Sequence, residues 1–465
     1  MIKYLKIKKG EIKMTTIVAI STAPGVGGIG IIRMSGDKCF EILDKVFKPK
    51  NKDKNIKGYT IKYGHIYDEE KIIDEVLVSY FVSPKSYTAE NMCEINSHGG
   101  IVIMNKILDL CIKNGAKIAE AGEFTKRAFL NGRIDLSQAE AVIDIINSKT
   151  DKEAEVSVNQ LNGLLSDTIG KIRKEILDLM ANIEVSIDYP EYDVPEVSEL
   201  EISKVLESVK SKLKKLERSF EEGKILRDGI SVAIIGRPNA GKSSLLNVIL
   251  DEERAIVTNI EGTTRDTIEE FITIKGIPLK IIDTAGIRQT KDEIEKIGVN
   301  KSLELAKKSD IAIGIFDISK KLIKEDYEIL EILKNKNSII VLNKNDLESE
   351  IENEEIKKIN KPIIKISTKN REGIEDLYEE IANIFKLNEI AKSGEIVVSN
   401  IRHKQIILNA LNFILRAQKS VEDNLPIDMI SSDIKQILEE LGKITGETVT
   451  EDIIKEIFSK FCLGK

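Results

Sequence analysis

The spacing of apolar residues changes along the chain, and each change predicts a different kind of structure. Residues 14–131 mix short β-rich runs, such as 76–82, with glycine turns and one helical stretch at 102–113. This mixture predicts an α+β domain. From residue 137 to about 227, and again after about residue 401, apolar residues recur every three or four positions, which predicts amphipathic helices.

Between the two helical stretches, short apolar strands alternate with helical segments. The predicted strands lie at 232–235, 279–282, 311–316, 339–342 and 363–366. Alternation of this kind is typical of an α/β domain whose sheet is mostly parallel. We therefore expect the α/β domain to be inserted into the helical one. The expected domains are an α+β domain at 14–131, a helical domain at 132–228 and 389–465, and an α/β domain at 229–388.

One segment of the expected α/β domain matches the phosphate-binding pattern G-x-x-x-x-G-K-[ST]. Residues 236–243 read G-R-P-N-A-G-K-S, directly after an apolar strand and before an apolar helix start. That context separates a phosphate-binding loop from an ordinary glycine turn. We expect its backbone N–H groups to surround the phosphates, Lys242 to reach the β and γ oxygens, and Ser243 to bind Mg²⁺.

Two more strand ends carry residues that a GTP-binding domain needs. Asp283 begins a D-T-A-G sequence and would hold the magnesium shell, while Gly286 would contact the γ-phosphate. Asp346 ends an N-K-N-D sequence, and its carboxylate can accept two hydrogen bonds from guanine. Adenine offers no such pair of donors, so this sequence predicts GTP rather than ATP as the nucleotide. The S-T-K sequence at 367–369 would support the base.

The residue that activates water is not evident from these motifs. Thr264, in a G-T-T-R-D sequence, can complete the Mg²⁺ shell when GTP is bound. Ile287 follows the D-T-A-G sequence where many small GTPases have a water-orienting Gln, and an apolar side chain cannot orient water. Catalysis must therefore come from elsewhere. The candidates are Arg288, Asp292, Glu293 and Glu295.

Composition argues against several other classes of protein. The 465 residues carry 70 basic and 77 acidic side chains, a net charge of −7, which does not favour a strongly basic nucleic-acid-binding protein. The four cysteines form no C-x-x-C pair, so neither a zinc site nor a disulfide framework is predicted, and a reducing compartment fits. No apolar run approaches the roughly 18 residues of a membrane span. We therefore expect a cytoplasmic protein without membrane attachment.

The nucleotide-binding sequences resemble those of the TRAFAC-class bacterial GTPases, and blocks outside them narrow the resemblance. Residues 461–465 read F-C-L-G-K, similar to a family ending C-[ILV]-G-K. Residues 24–30 read P-G-V-G-G-I-G, with Arg33 close behind, and residues 122–131 read G-E-F-T-K-R-A-F-L-N. Because separated regions agree in order, the chain resembles the MnmE family of tRNA-modifying GTPases, also called TrmE, over 14–465.

The resemblance implies a folate-binding N-terminal domain, a helical domain interrupted by a GTPase domain, and a homodimer. It implies that an FAD-containing protein, MnmG, is the partner in a heterotetramer. Together they would add an aminomethyl-type group to carbon 5 of the tRNA wobble uridine. A tetrahydrofolate derivative, in 5-formyl or methylene form, would donate the one-carbon unit, and GTP hydrolysis would require Mg²⁺ and K⁺.

The resemblance also implies roles for individual residues. The potassium-contacting positions correspond to Asn239, Thr258, Ile260 and Thr263. The water-positioning glutamate corresponds to Glu295. The folate-contacting positions correspond to Arg33, Glu94, Arg133 and Lys465. The residues expected to bind GTP are Asn239, Ala240, Gly241, Lys242, Ser243, Ser244, Thr258, Asn259, Ile260, Glu261, Gly262, Thr263, Thr264, Asp283, Thr284, Ala285, Gly286, Asn343, Lys344, Asp346, Ser367, Thr368 and Lys369.

Two of the family-type positions allow more than one interpretation. Arg133 stands where the family pattern has lysine, and a guanidinium keeps the charge without being a point charge. Cys462 could act chemically near a bound folate, or it could be an ordinary buried residue that contributes only to packing. The sequence does not choose between these roles of the thiol.

The nucleotide motifs alone are compatible with two other functions. A regulatory or ribosome-assembly GTPase could bind RNA without modifying it, and a one-carbon transferase could use GTP as a switch. The N-terminal block and the ending C-L-G-K favour the tRNA-modifying family, since an assembly factor needs neither. Residues 25–30, G-V-G-G-I-G, lack the helix context and ribose-binding acid of a dinucleotide site, which argues against unaided redox chemistry.

Overall fold

The computed structural model places the chain in two compact units. It describes residues 15–23, 25–51, 58–188, 198–251, 255–256, 270–282, 304–351, 356–387 and 397–465. The described residues of 1–143, 159–213 and 405–465 form the first unit, and those of 144–158 and 214–404 form the second. These units group the elements differently from the three expected domains, whose boundaries stay a prediction.

The N-terminal elements form a seven-stranded, largely antiparallel sheet of order β3-β4-β5-β6-β2-β1-β7, in which only β1 and β7 are parallel. Its strands are β1 (Ile17–Ile20), β2 (Gly27–Ser35), β3 (Phe47–Pro49), β4 (Thr60–Asp68), β5 (Lys71–Phe81), β6 (Met92–Gly99) and β7 (Lys117–Ile118). Helices α1 (Cys39–Val46) and α2 (Ile101–Lys113) share a core with the sheet. Ile32 and Met34 alternate into that core with the period of two that a strand requires. The expected α+β fold is confirmed.

Helices follow from residue 123 onward. They are α3 (Glu123–Leu130), α4 (Leu136–Asn147), α5 (Asp151–Leu161), α6 (Leu164–Asp188) and α7 (Glu199–Asp228). In α6 the residues buried at three- and four-residue spacing are those of the sequence pattern, from Ile169 to Ile183. The expected helix break at Pro190 and Pro195 lies outside the described residues.

The second seven-stranded sheet has the order β14-β13-β12-β8-β11-β10-β9 and is parallel except for β9 and β10. Its strands are β8 (Ile230–Ile235), β9 (Ala255–Ile256), β10 (Glu270–Ile274), β11 (Ile277–Ile281), β12 (Ile311–Asp317), β13 (Ser338–Asn343) and β14 (Ile363–Lys365). The helices around it are α8 (Lys242–Asp251), α9 (Lys324–Lys334) and α10 (Ile374–Ile384). The expected α/β fold is confirmed.

Helices cover both faces of this sheet, which is why its strands are apolar throughout rather than alternating. Val232 and Ile234 of β8 share one core with α8 and α10, whereas Ala233 and Ile235 share another with α9. The carboxyl ends of the central strands therefore lie at one edge, where the loops predicted to bind nucleotide begin.

The chain ends in three further helices, as the pattern after residue 401 predicts. They are α11 (Ile401–Glu422), α12 (Ile427–Thr445) and α13 (Glu451–Ser459). Helix α12 packs against α6 within the first unit. No helix in the described part of the chain has the length and apolar content needed to cross a membrane.

Candidate functional site

The predicted phosphate-binding loop connects β8 to α8, and two of its glycines are required by close packing. A Cβ at Gly236 would lie 2.5 Å from the carbonyl oxygen of Ile315. A Cβ at Gly241, whose φ is +106°, would lie 2.0 Å from Nδ2 of Asn343. Asn239 also has a left-handed φ, of 62°, which asparagine tolerates better than most residues. The loop conformation therefore explains the residue types at these positions.

Lys242 turns its ammonium group back over this loop. Its Nζ donates to the carbonyl oxygens of Gly236, at 2.7 Å, and Arg237, at 2.8 Å. Burial lowers the pKa of Lys242 to about 8. A phosphate bound at the first turn of α8 would be met by helix N–H groups and by this cation, and its negative charge would favour the ammonium form. The loop thus fits a di- or triphosphate, with Ser243 beside Lys242 to hold its Mg²⁺.

Asn343, at the end of β13, joins the phosphate-binding loop to the loop at 367–369. Its buried side chain donates from Nδ2 to the carbonyl oxygen of Ala240, at 3.0 Å. Its Oδ1 accepts from the backbone N–H of Thr368, at 3.2 Å. One amide side chain therefore uses both its donor and its acceptor to hold two loops together.

Asp346 is exposed at the same edge and is kept ionised by its neighbour. Its Oδ1 accepts a hydrogen bond from Oγ of Ser367, at 2.7 Å. This hydrogen bond is the main cause that lowers the pKa of Asp346 below its ordinary value. An ionised, solvent-facing carboxylate with one oxygen anchored can accept the paired N–H groups of a guanine edge.

Lys344 is held by an acid that the sequence motifs do not reveal. Its Nζ lies 2.6 Å from Oδ2 of Asp317, a buried residue at the end of β12. Burial acts to raise the pKa of Asp317, but hydrogen bonds from Lys344 and Ser319 prevail and lower it. The position of Asp317, last in a buried parallel strand that neighbours β13, is the only signal of this role in the sequence.

The remaining predicted residues of the nucleotide site belong to the segments between β8 and β12. The switch-loop, D-T-A-G and catalytic candidates lie outside the described residues. They are Thr258, Asn259, Ile260, Glu261, Gly262, Thr263, Thr264, Asp283, Thr284, Ala285, Gly286 and Glu295. The described part brings together Asn239 through Ser244 with Asn343, Asp346 and the loop at 367–369.

In the first unit, the predicted folate-binding residues converge on the middle of the N-terminal sheet. Arg33 and Glu94 are paired across β2 and β6. Two guanidinium nitrogens of Arg33, Nε and Nη2, lie 2.9 Å and 2.8 Å from Oε1 of Glu94. The guanidinium also lies over the rings of Tyr87 and Phe124, at 5.3 Å and 5.7 Å from their centroids. Arg33 is thus neutralised by Glu94 and packed on aromatic surface.

The C-terminal segment closes this site. The carbonyl oxygen of Gly464 accepts from Oγ of Ser21, at 3.0 Å, and from Nη1 of Arg33, at 3.3 Å. Gly464 has a φ of +86°, and a Cβ there would lie 2.3 Å from the carbonyl oxygen of Ile20. Burial and, next, the neighbouring Arg33 lower the pKa of Lys465. The segment therefore brings a second cation to the Arg33–Glu94 pair.

Arg133 supplies a third cation through the same aromatic residue. Its guanidinium lies 4.6 Å from the ring centroid of Tyr87. The Tyr87 hydroxyl is in turn hydrogen bonded to Oγ1 of Thr125, at 2.8 Å, which holds the ring. Three cations and one carboxylate around aromatic rings suit a planar, negatively charged ligand.

Cys462 is exposed, whereas the other three cysteines are buried. The interpretation of this thiol as a buried packing residue is therefore wrong. Its backbone carbonyl accepts from the N–H of Gly122, so the main chain is tied down while the side chain faces solvent.

Comparison with known proteins places this geometry in a family. A family model described as the MnmE helical domain matches residues 136–462, and one described as the GTP-binding protein TrmE N-terminus matches residues 16–133. The tRNA modification GTPase MnmE of Clostridioides difficile is 51% identical over 455 residues, which cover 97% of this chain and 99% of that protein. The Bacillus subtilis protein of the same description is 46% identical over 459 residues, covering 97% and 100%.

Among solved structures, the G domain of the T. maritima FeoB iron transporter is similar to part of the chain. It is 28% identical, with a TM-score of 0.26, and the match covers 33% of this chain and 97% of that one. The family assignment rests on the two family models and on the relatives that match almost the whole chain. The chain belongs to the MnmE family of tRNA modification GTPases.

Proposed function

We propose that this chain is a potassium-dependent GTPase that acts with an FAD-containing partner of the MnmG type. The pair would add an aminomethyl-type group to carbon 5 of the tRNA wobble uridine, with a tetrahydrofolate derivative as one-carbon donor. The observation that carries the proposal is the meeting of Arg33, Glu94 and Lys465 at one site. A GTPase acting only as a switch has no need of this second, cationic site.

In the nucleotide site, this chain's own residues bind and orient the phosphates. Lys242 moves its ammonium group from the loop carbonyls toward the β and γ oxygens, and Ser243 holds Mg²⁺. Thr264 and Asp283 would complete the shell of this Mg²⁺, which when bound would supply positive charge next to the phosphates. Asp346 selects guanine, with Ser367 holding its carboxylate in place.

In this proposal, K⁺ would supply the positive charge that an arginine finger supplies in other GTPases. Asn239 is exposed on the phosphate-binding loop, in a left-handed conformation that turns the loop sharply, and would contact K⁺ with Thr258, Ile260 and Thr263. A cation bound there would supply positive charge where negative charge develops between the β- and γ-phosphates. Glu295 would position the attacking water when two GTPase domains of a homodimer face each other.

In the proposed folate site, charged side chains and aromatic rings would bind different parts of the ligand. Lys465 and Arg133 are the cations for the glutamyl carboxylates of the folate. Glu94 would accept hydrogen bonds from the amino edge of the pterin, and Arg33 would hold both Glu94 and the C-terminal segment in position. Tyr87, which is partly exposed, would provide flat surface for the ring, whereas Phe124 is buried and packs against Arg33.

The proposal includes the assembly and the place where it works. A homodimer would combine with the FAD protein into a heterotetramer that binds tRNA in the cytoplasm. The expected domain boundaries, 14–131, 132–228 with 389–465, and 229–388, would separate folate binding, helical scaffold and GTP hydrolysis.

The test is nucleoside mass spectrometry of tRNA from cells that lack the protein. We expect the modified wobble uridines to disappear and to return when the wild-type chain is supplied. Glu94→Ala should fail to restore them although it still hydrolyses GTP, while Glu70→Ala, an exposed turn residue, should restore them. Unchanged wobble uridines in the deletion strain would favour a regulatory or ribosome-assembly GTPase instead.

A further inference from the structure

A buried carboxylate lies directly behind the phosphate-binding loop. Asp326 stands in the first turn of α9, and its side chain is 0% exposed. Its Oδ2 accepts the backbone N–H of Ile323, at 3.0 Å, and so caps the start of the helix. Its Oδ1 lies 3.0 Å from Nε of Arg237, the second residue of the loop.

The contact between Arg237 and Asp326 is electrostatic rather than an aligned hydrogen bond. Oδ1 of Asp326 has no hydrogen-bond partner of good geometry, although the Arg237 nitrogen is close. Only 15% of the Arg237 side chain is exposed, so water screens the pair weakly. Removing either partner alone leaves the other charge without its ion-pair partner.

The same arginine also holds Lys242, through its backbone. The Arg237 carbonyl oxygen accepts from Lys242 Nζ at 2.8 Å, next to the Gly236 carbonyl at 2.7 Å. Pro238 follows Arg237, and Asn239 after it is left-handed, so these two residues set the direction of the loop beyond Arg237. The side-chain anchor of Arg237 acts on the residue before them and restricts the carbonyl that faces the ammonium group.

We propose that Asp326 is a positioning residue for nucleotide binding, and that it acts through Arg237. By holding the guanidinium, Asp326 fixes the Arg237 carbonyl and with it the loop conformation from which Lys242 reaches the phosphates. This role rests on the proposed function of Lys242 as a phosphate ligand. It is separate from guanine recognition, because neither Asp326 nor Arg237 contacts Asn343 or Asp346 among the interactions of the described residues.

Asp326→Asn is the informative variant because the amide keeps an oxygen to cap Ile323 while the charge is lost. We expect fluorescent GDP to dissociate about tenfold faster from this variant, the effect of losing one charge-assisted contact. The KM for GTP should rise by a similar factor while kcat changes by less than about twofold, since the loop binds ground and transition states alike. The preference for GTP over xanthosine triphosphate should stay at the wild-type value.

Arg237 variants test the contact from its other side and keep the proposal falsifiable if Asp326→Asn does not fold. Arg237→Gln should release GDP as fast as Asp326→Asn, and Arg237→Lys should recover most of the wild-type rate. The double variant Arg237→Gln/Asp326→Asn should be no faster than either single one, as for two residues that act as one unit. Glu325→Gln, an exposed acid in the same helical turn, should behave as wild type.

Three outcomes would overturn the proposal: wild-type GDP release in Asp326→Asn, additive effects in the double variant, or loss of thermal stability without a change in KM. Lys242→Ala separates this failure from that of the nucleotide-site assignment. If Lys242→Ala loses GTP binding while Asp326→Asn binds normally, only the positioning role is wrong. If Lys242→Ala also binds normally, the phosphate-binding assignment itself is wrong.

Discussion

Arg33 donates a hydrogen bond to the carbonyl oxygen of Gly464, a residue 431 positions later in the chain. The guanidinium holds Glu94 at the same time, so one side chain connects the second strand, the sixth strand and the C-terminal segment. Lys465 reaches the Arg33–Glu94 pair only because the preceding glycine adopts this position. The geometry of residue 464 is therefore as important to the cationic site as the charged residues themselves.

Gly464→Ala should displace the C-terminal segment. A Cβ would meet the Ile20 carbonyl oxygen at 2.3 Å, and the left-handed φ is strained for alanine. We expect about 1–3 kcal/mol of lost stability in this segment and at least about tenfold weaker binding of 5-formyltetrahydrofolate, measured by calorimetry on the full-length protein. The matched control is Gly115→Ala, where φ is +111° and no atom lies within 4 Å of an added Cβ. Equal folate affinity in both variants would contradict the predicted site.

Asp346→Asn should change which purine nucleotide the protein prefers. The amide presents a donor where the carboxylate accepts, and xanthine offers an acceptor where guanine has its amino group. We expect GTP affinity to fall roughly a hundredfold or more and xanthosine triphosphate affinity to rise, measured by competition against fluorescent GDP. Ser367→Ala should have a smaller effect in the same direction, because it removes only the anchor of one carboxylate oxygen. If Asp346→Asn binds both nucleotides as wild type does, Asp346 does not read the base.

GTP binding should take up protons near pH 8. In the folded protein the pKa of Lys242 is about 8, below the ordinary 10.5, because burial disfavours the ammonium form. Bound phosphate favours that form, so binding at pH 8 should take up about half a proton, and affinity should fall as pH rises further. Calorimetry in buffers of different ionisation enthalpy measures the uptake. Lys242→Arg should abolish it, since a guanidinium does not titrate in this range.

The lowered pKa of Lys242 also predicts how the stability of the nucleotide-free protein changes with pH. Between about pH 8 and 10.5 the unfolded chain binds more protons at Lys242 than the folded one does. The contribution of this group to the free energy of unfolding therefore rises with pH in that window. The denaturation midpoint of the wild type should therefore rise relative to that of Lys242→Arg as the pH increases across this window. A relative fall would contradict the lowered pKa of Lys242.

GTP turnover should depend on potassium and on Glu295. We expect turnover roughly 10²–10³ times faster in KCl than in NaCl of equal ionic strength, because an electrostatic element near the developing charge has an effect of that size. Asn239→Ala should remove most of this difference, and Glu295→Ala should lose turnover while it retains GTP affinity. Glu293→Ala is the control for a charge in the same segment. Equal rates in the two salts would contradict the proposed potassium site. Normal turnover in Glu295→Ala would contradict the catalytic role of Glu295.

Apolar periodicity predicted most of the fold, because buried strands and helices impose spacings of two and about 3.6 on the sequence. The five strands predicted in the α/β region all occur, with ends that differ by at most two residues. The apolar pattern does not predict β9 and β10. Strand β10 (Glu270–Ile274) lies between β11, with which it forms a hairpin, and the edge strand β9, which it meets through a long-range contact. The two-unit grouping also differs from the expected domains, since compactness depends on packing between distant segments.

The sequence by itself determined the family and the order of the nucleotide motifs, because a phosphate-binding loop and a guanine-selecting loop are encoded within a few adjacent residues. Only the tertiary structure decided which buried acids hold those loops, with Asp317 against Lys344 and Asp326 against Arg237. It also decided that Gly464 meets Arg33, and that Cys462 faces solvent. Such partners are selected by distance in the folded chain, and no spacing along the sequence specifies which charged group a strand or helix will bring within 3 Å.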